Sequence, residues 1–271
     1  MTQDDLKPKL GLLGIGQMGG VFARHFIDAG WDVIGWDRRP EPLEELEAYG
    51  GTAAKGFSDF HDVGIVISVL FDDAATREVF LEGDALIESL ADNTLHIVMA
   101  SISPDFSSEL AQAHRNRDQR YLAASVFGRP EAAAAAQLQI NCSGDRESFD
   151  EAESLLNILG TSRWIGDGPE LAMLVKCLGN SMITASVEMV REMFTLLAAA
   201  GIKEQLTKEM LIDTLFACPI FSGYSQIYMN DPGSAKMTPI ARKDRQTCLD
   251  AASKLHIELP LVQHLHEKDL P

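Results

Sequence analysis

The sequence predicts an α/β chain in two parts: a doubly wound, mainly parallel sheet domain over residues 1–165, then an all-helical domain over residues 166–271. Three observations predict it. Short apolar runs alternate with helical patterns from Leu10 to about Ile165, as expected of a parallel sheet covered by helices on both faces. Glycines at a fixed spacing interrupt the first apolar run. The alternation stops at Gly166-Asp167-Gly168-Pro169, beyond which no strand signal recurs.

The first strand, Lys9-Leu10-Gly11-Leu12-Leu13, runs straight into Gly14-Ile15-Gly16-Gln17-Met18-Gly19. This spacing, between a strand and a helix, marks a dinucleotide-binding βαβ unit. Gly14 permits the tight turn, Gly16 lets a pyrophosphate approach the backbone, and Gly19 allows the helix to pack on the strand. The phosphates then meet the free N–H groups of a helix N-terminus. Read alone the motif is equally a structural glycine turn, but Val21 to Ile27 follows with apolar residues at helical spacing. The second strand, Trp31 to Asp37, ends about 20 residues after the glycines, where such folds read the ribose.

Val63 to Leu70, Leu95 to Met99 and Tyr121 to Ala124 are continuously apolar, which suits strands buried on both faces. Gln137 to Cys142 and Ser162 to Ile165 extend the sheet. Ser103-Pro104-Asp105 opens a helix with proline in its first turn and an acid beside the positive end of the dipole. From Glu170 to about Ala200 apolar residues recur at three and four spacings with Gly179 as the only breaker, which predicts one long helix. Further helices are expected around Lys203 to Phe216, Ile220 to Met229 and Pro239 to Leu255.

The chain has 271 residues, 46% of them hydrophobic, enough for a full core. A formal net charge of −17 repels nucleic-acid phosphates and anionic membranes, so neither is expected as a partner. Cys142, Cys177, Cys218 and Cys248 show no CxxC pair or metal spacing, which points to free thiols in a reducing compartment and no metal. Met1 to Lys9 is polar, unlike a signal peptide, and no run reaches the roughly 18 apolar residues of a membrane span. A cytoplasmic location is expected.

Lys176 and Asn180 lie one turn apart on the long helix and share a face. A cofactor that carries hydride without the proton needs an acid or base beside the reacting carbon, and a lysine can serve. Most helical lysines are solvated surface residues, but Lys176 lies between Leu174-Val175 and Cys177-Leu178. Asn180 either holds a substrate hydroxyl or orients Lys176.

With these motifs in hand the sequence resembles the β-hydroxyacid dehydrogenases over nearly its whole length. Gly11 to Gly19 looks like the family's opening GxxGxGxMG, and Gly166 through Lys176 to Asn180 looks like its glycine, lysine and asparagine block. Ser101-Ile102-Ser103-Pro104 is similar to the segment at the nicotinamide side, and Lys243-Asp244 to the C-terminal pair whose lysine reaches the cofactor. The resemblance implies a Rossmann-type domain, catalysis by Lys176 with Asn180, and pairing through the helical domain as a homodimer. It also implies a substrate cleft between the domains and reversible hydride transfer on a small β-hydroxy acid, the substrate partner. Cofactor contacts are expected from Gly14, Ile15, Gly16, Gln17, Met18, Gly19, Asp37, Arg38, Arg39, Val69, Leu70, Ser101 and Lys243.

One segment departs from the family. Where relatives carry Asp-Ala-Pro-Val-Ser-Gly-Gly to hold a substrate carboxylate, this chain has Ala123-Ala124-Ser125-Val126-Phe127-Gly128-Arg129. Ser125, Phe127, Gly128 and Arg129 are therefore the candidate substrate contacts. Phe127 is expected to narrow the pocket rather than to stack. Arg129 either grips a carboxylate or phosphate with its guanidinium fork or braces the loop against an acidic helix.

Asp37 suits a free ribose 2′-OH, whereas Arg38 and Arg39 attract a 2′-phosphate; the balance favours NADP, with NAD possible. His264 and His266, two residues apart, are poor metal partners on a helix. His25 reads as a surface or packed residue, and Tyr224 and Tyr228 as core, interface or cleft. Two rivals stand: an imine reductase, and a catalytically silent NAD(P)-binding sensor.

Overall fold

The structure, a computed structural model, describes residues 9–231 and 239–268, with Pro239 and Ile240 described by backbone alone. The polar stretch weighed against a signal peptide lies, as far as Pro8, outside the described residues. The chain divides after Lys176 into two compact units.

In the first unit eight strands form one sheet: β1 (Lys9–Leu13), β2 (Asp32–Trp36), β3 (Thr52–Ala53), β4 (Ile65–Ser68), β5 (Leu95–Val98), β6 (Arg120–Phe127), β7 (Leu138–Gly144) and β8 (Gly160–Gly166). Their order is β3-β2-β1-β4-β5-β6-β7-β8, so the chain reverses direction across the sheet between β1 and β4. Each predicted strand is present. The two-residue β3 has no apolar run to announce it.

Neighbouring strands are parallel except β6 and β7, where Leu122 lies opposite Gly144 and Phe127 opposite Gln139. The short link between them, residues 128–137, is below the dozen or more residues that a parallel crossover needs.

Seven helices follow in chain order: α1 (Gln17–Asp28), α2 (Pro40–Ala48), α3 (Asp73–Leu81), α4 (Leu86–Ser89), α5 (Pro104–Arg115), α6 (Pro130–Ala134) and α7 (Arg146–Leu156). Alternate strand residues face opposite layers. Leu10, Leu12, Ile67, Ile97 and Leu122 pack with Phe22 and Phe26 of α1 and Phe149 of α7. Leu13, Val66, Val98 and Ala123 pack with Phe80 of α3, and with Phe106 and Leu110 of α5. Fully burying each of these large side chains contributes roughly 1.5–3 kcal/mol. The helix expected to open at Ser103-Pro104-Asp105 is present as α5, and Ser103 caps it by accepting from the Phe106 N–H at 3.2 Å.

A polar chain crosses the second layer. His96 is buried between Ser68 Oγ at 2.8 Å and His114 Nε2 at 2.8 Å, and His114 Nδ1 reaches Gln119 Oε1 at 2.9 Å. The Gln119 oxygen can only accept, so His114 donates from Nδ1, His96 donates to His114, and Ser68 donates to His96. This is the bonding pattern of two neutral imidazoles. Burial pushes His96 well below the usual histidine range and His114 down to about 4.

The helix α8 (Leu171–Ala199) begins in the first unit and passes Gly179 without a break. The second unit continues with α9 (Glu204–Thr207), a π-helical turn at Lys208–Ile212, α10 (Asp213–Leu215), α11 (Pro219–Asn230), α12 (Pro239–Lys254) and α13 (Pro260–Lys268). The helical stretch expected around Lys203 to Phe216 is present, running unbroken from Glu204 to Leu215 with the π-helical turn inside it. A small core of Val190, Phe194, Ile212 and Tyr228 holds this unit, with the Phe194 and Tyr228 rings edge to face at 5.4 Å. Among the described residues no strand lies in this unit, and no helix is long and apolar enough to cross a membrane.

Candidate active site

The glycine turn leaves the carboxyl end of β1. Gly14 has φ +88°, and a side chain there would stand 2.6 Å from the Val69 carbonyl and 3.2 Å from Leu70. Val69 and Leu70 thus form the wall on which the turn rests. Gly19, in the first turn of α1, lies so close that a Cβ would meet the Gly14 carbonyl at 1.9 Å. Gly16 differs. Among the described residues a Cβ there would find only the flexible end of Arg39, at 3.8 Å. Packing of the chain on itself therefore does not require glycine at 16, whereas a pyrophosphate approaching the backbone does. This open cradle, beside the exposed Gln17 in the first turn of α1, fits a dinucleotide.

Asp37, just past β2, closes the turn. Its Oδ2 accepts the Ile15 N–H at 3.0 Å, and its Oδ1 accepts the Arg39 N–H at 3.0 Å and Nε at 3.1 Å. Burial pushes the Asp37 carboxyl upward, but the bonds from Arg39 and Ile15 outweigh it and leave the carboxyl below its ordinary value. Arg38 is exposed beside them.

Ser101 sits partly buried in the loop between β5 and α5. The same loop is clamped by Asp73, whose two oxygens accept the Ser103 N–H at 2.8 Å and hydroxyl at 2.6 Å. The clamp joins the first turns of α3 and α5 at the carboxyl edge of the sheet.

Lys176, in the second turn of α8, reaches that edge as well. Its Nζ donates to the Val126 carbonyl at 2.7 Å and stands 4.6 Å from the centroid of the Phe127 ring. The expectation that Phe127 only narrows a pocket is corrected: the ring carries the ammonium on its face, because residue 127 falls beside the carbonyl that holds the amine. Val126 and Phe127 end β6, which runs parallel to β5. The amine and the glycine turn therefore share one edge of the sheet.

Ser125, on the same face of β6 as Phe127, is fully buried with a hydroxyl that has no hydrogen-bond partner among the described residues. Gly128 has φ +145°, and a Cβ there would meet Leu138 at 2.5 Å, so this glycine serves the backbone. Arg129 lies 3.6 Å from Glu131 of α6, both exposed, which is the bracing alternative weighed from sequence. An exposed pair of this kind contributes at most about 1 kcal/mol.

In the second unit Asn180 donates from Nδ2 to Asp244 Oδ2 at 2.8 Å, and Asp244 is buried. Asp244 thereby ties α12 to α8 and sets the position of its partly buried neighbour Lys243. His25 Nε2 lies 3.0 Å from the Ala133 carbonyl, a packed position.

Sequence reasoning did not find Asp73, although an acid at the start of a helix beside the Ser101 loop was a usable signal. It also missed Ser107, Tyr121 and Ser143, which surround the start of α8 and carry no local motif.

A dinucleotide cradle and a lysine at the carboxyl edge of a doubly wound sheet define a nicotinamide-dependent oxidoreductase. Residues 9–178 match the model of the NAD binding domain of 6-phosphogluconate dehydrogenase, and the chain belongs to that family. An uncharacterized oxidoreductase of Bacillus subtilis, YfjR, is 32% identical over 260 residues, covering 94% of this chain and 90% of that one. The 3-sulfolactaldehyde reductase of Escherichia coli is 25% identical over 255 residues, covering 93% and 86%. A 3-hydroxyisobutyrate dehydrogenase structure from Salmonella typhimurium superposes with a TM-score of 0.85 at 23% identity, covering 96% and 92%. The chain is an NAD(P)-dependent oxidoreductase of the β-hydroxyacid dehydrogenase type.

Proposed function

We propose that this enzyme reversibly reduces the aldehyde or ketone of a small acid to its β-hydroxy form, with Lys176 as general acid and base and NADP(H) preferred over NAD(H). The observation that carries this is the Lys176 amine, held at 2.7 Å from the Val126 carbonyl on the sheet edge where the glycine turn lies. Gly14 to Gly19, Asp37, Val69, Leu70, Ser101 and Lys243 hold the nucleotide, and Arg38 and Arg39 favour its 2′-phosphate. The nicotinamide, when bound, supplies or accepts the hydride. Lys176 hands a proton from Nζ to the substrate oxygen in reduction and takes the hydroxyl proton in oxidation. Its positive charge also stabilises negative charge developing on that oxygen. Asn180 positions substrate from the turn of α8 after Lys176. Ser125 supplies the buried hydroxyl beside Phe127, and Gly128 and Arg129 shape the rim.

Initial rates with NADPH and NADH test this against 3-hydroxyisobutyrate, 3-sulfolactaldehyde and cyclic imines. Turnover of a hydroxy acid or aldehyde, abolished in Lys176→Ala with NADPH affinity kept within about twofold, is the expected result. Turnover of imines alone, or undiminished turnover in Lys176→Ala, overturns it. Tight NADPH binding with no turnover of any of these assigns a silent sensor instead.

The same reading extends to assembly and location. Leu178, Met182, Met189, Met193 and Leu196 form an exposed apolar stripe along α8, a face that a second copy of the chain covers in a homodimer. Sedimentation is expected to give a dimer, and Met189→Asp a monomer. None of the four cysteines forms a disulfide among the described residues, which suits the reducing cytoplasm.

A further inference from the structure

The residue that precedes the helix carrying Lys176 is not one of the usual capping types, and of the first N–H groups Leu171 donates locally to the Gly168 carbonyl at 3.1 Å. The residues leading into it are Gly166-Asp167-Gly168-Pro169-Glu170, and α8 starts at Leu171, so the position before it is held by Glu170 rather than by Ser, Thr, Asn or Asp. The Glu170 carboxylate turns instead to Ser108 Oγ at 3.3 Å. The first N–H groups of a helix lack intrahelical partners, and a buried one left unmet is costly.

The acceptor for the next N–H, that of Ala172, comes from a strand. Ser143 of β7, fully buried, accepts the Ala172 N–H with its Oγ at 2.9 Å and donates to the Pro169 carbonyl at 3.4 Å. That carbonyl also accepts from Ser107 Oγ of α5 at 2.6 Å. Since Ser107 spends its one proton there, the Tyr121 hydroxyl of β6, 2.8 Å away, is the donor to Ser107. Burial raises the Tyr121 phenol, so it stays protonated and able to donate. Ala172 and Met173 are fully buried in the same layer. Hydroxyls from three elements thus fasten the residues one turn before Lys176, while β6 receives the amine at Val126.

We infer that Ser143 is a positioning residue for Lys176, capping the first turn of α8 from β7 so that the amine stays on the Val126 carbonyl and over Phe127. Its importance for catalysis rests on the role of Lys176 proposed above; its effect on the amine does not. Without the cap the first turn frays, as uncapped helix ends do, and the lysine leaves the carbonyl for solvent. Ser143→Ala removes one oxygen and adds no bulk, so the fold is retained.

The test is the rate of acetylation of Lys176 by acetic anhydride, read by peptide mass spectrometry against the exposed Lys55, in wild type, Ser143→Ala, Ser143→Thr and Ser148→Ala. Ser148 is a buried serine on α7 and controls for loss of stability alone. Relative labelling of Lys176 is expected to rise about fivefold in Ser143→Ala, the size of a lost cap, and to stay at the wild-type level in Ser148→Ala. Ser143→Thr keeps the hydroxyl and is expected to stay near wild type. Ser107→Ala, which removes the other donor to Pro169, is expected to act in the same direction. Unchanged labelling in both Ser143→Ala and Ser107→Ala, or an equal rise in Ser148→Ala, overturns the inference. Turnover separates the two levels: Ser143→Ala should lower kcat about fivefold with the KM for NADPH unchanged. Full activity in Lys176→Ala would refute the catalytic role while the labelling still decides the cap.

Discussion

The Lys176 ammonium stands 4.6 Å from the centre of the Phe127 ring, 49 residues earlier in the chain. A partly buried cation on an aromatic face gains about 0.5–2 kcal/mol from the ring quadrupole. Phe127→Leu keeps an apolar side chain and removes that field. It is expected to lower kcat/KM about three- to tenfold in initial-rate assays, with NADPH affinity unchanged.

Arg39 grips Asp37 through Nε at 3.1 Å, and Asp37 holds the Ile15 N–H of the glycine turn, where the proposed function puts the ribose. Arg39→Ala takes away a cation from any 2′-phosphate and frees the carboxylate for a ribose diol. Fluorescence titration should show NADPH binding weakened about tenfold and NADH binding unchanged or tighter. Asp37→Ala should shift the ratio toward NADPH but weaken both nucleotides, because the Ile15 N–H loses its acceptor.

Two glycines of the same motif should fail differently. Gly16→Ala places its Cβ in ordinary contact with the flexible end of Arg39 at 3.8 Å, so the melting temperature is expected to stay within a degree or two while NADPH affinity falls at least about tenfold. Gly19→Ala drives a Cβ to within 1.9 Å of the Gly14 carbonyl and should lower stability as well as binding. Calorimetry with and without NADPH separates them.

The neutral pair His96 and His114 makes stability depend on acid. Each has a folded value below the unfolded 6.5, so each stabilises the fold fully above that value. The contribution disappears as pH falls through the folded value, about 4 for His114. Urea unfolding at pH 7, 6, 5 and 4 should show a progressive loss that reaches about 3 kcal/mol for His114 alone once pH drops below its folded value. The carboxylates of Glu88, Glu109 and Glu151, lowered by bonds from arginines, act only below about pH 4.5, so a decline between pH 6.5 and 5 belongs to the histidines.

Much of this molecule was legible before any coordinates. Strands β1, β2, β4 and β5, the glycine turn and the uninterrupted α8 follow from short-range periodicity, and Ser103 announced the start of α5. The strand β3 was hidden because two residues carry no period. The π-helical turn at Lys208–Ile212 was hidden because a single five-residue turn is too short for its own period to show within the helix around it.

The sequence by itself determined that a nucleotide cradle, a helix bearing Lys176 and a changed loop at 125–129 are present, since each is written in residues adjacent along the chain. Only the tertiary structure decided what Lys176 touches: the antiparallel turn of β6 against β7 brings the Val126 carbonyl and Phe127 ring to its amine and Ser143 to the head of its helix. Such contacts depend on how strands pair in space, and side chains 29 to 50 residues apart leave no shared pattern in the chain.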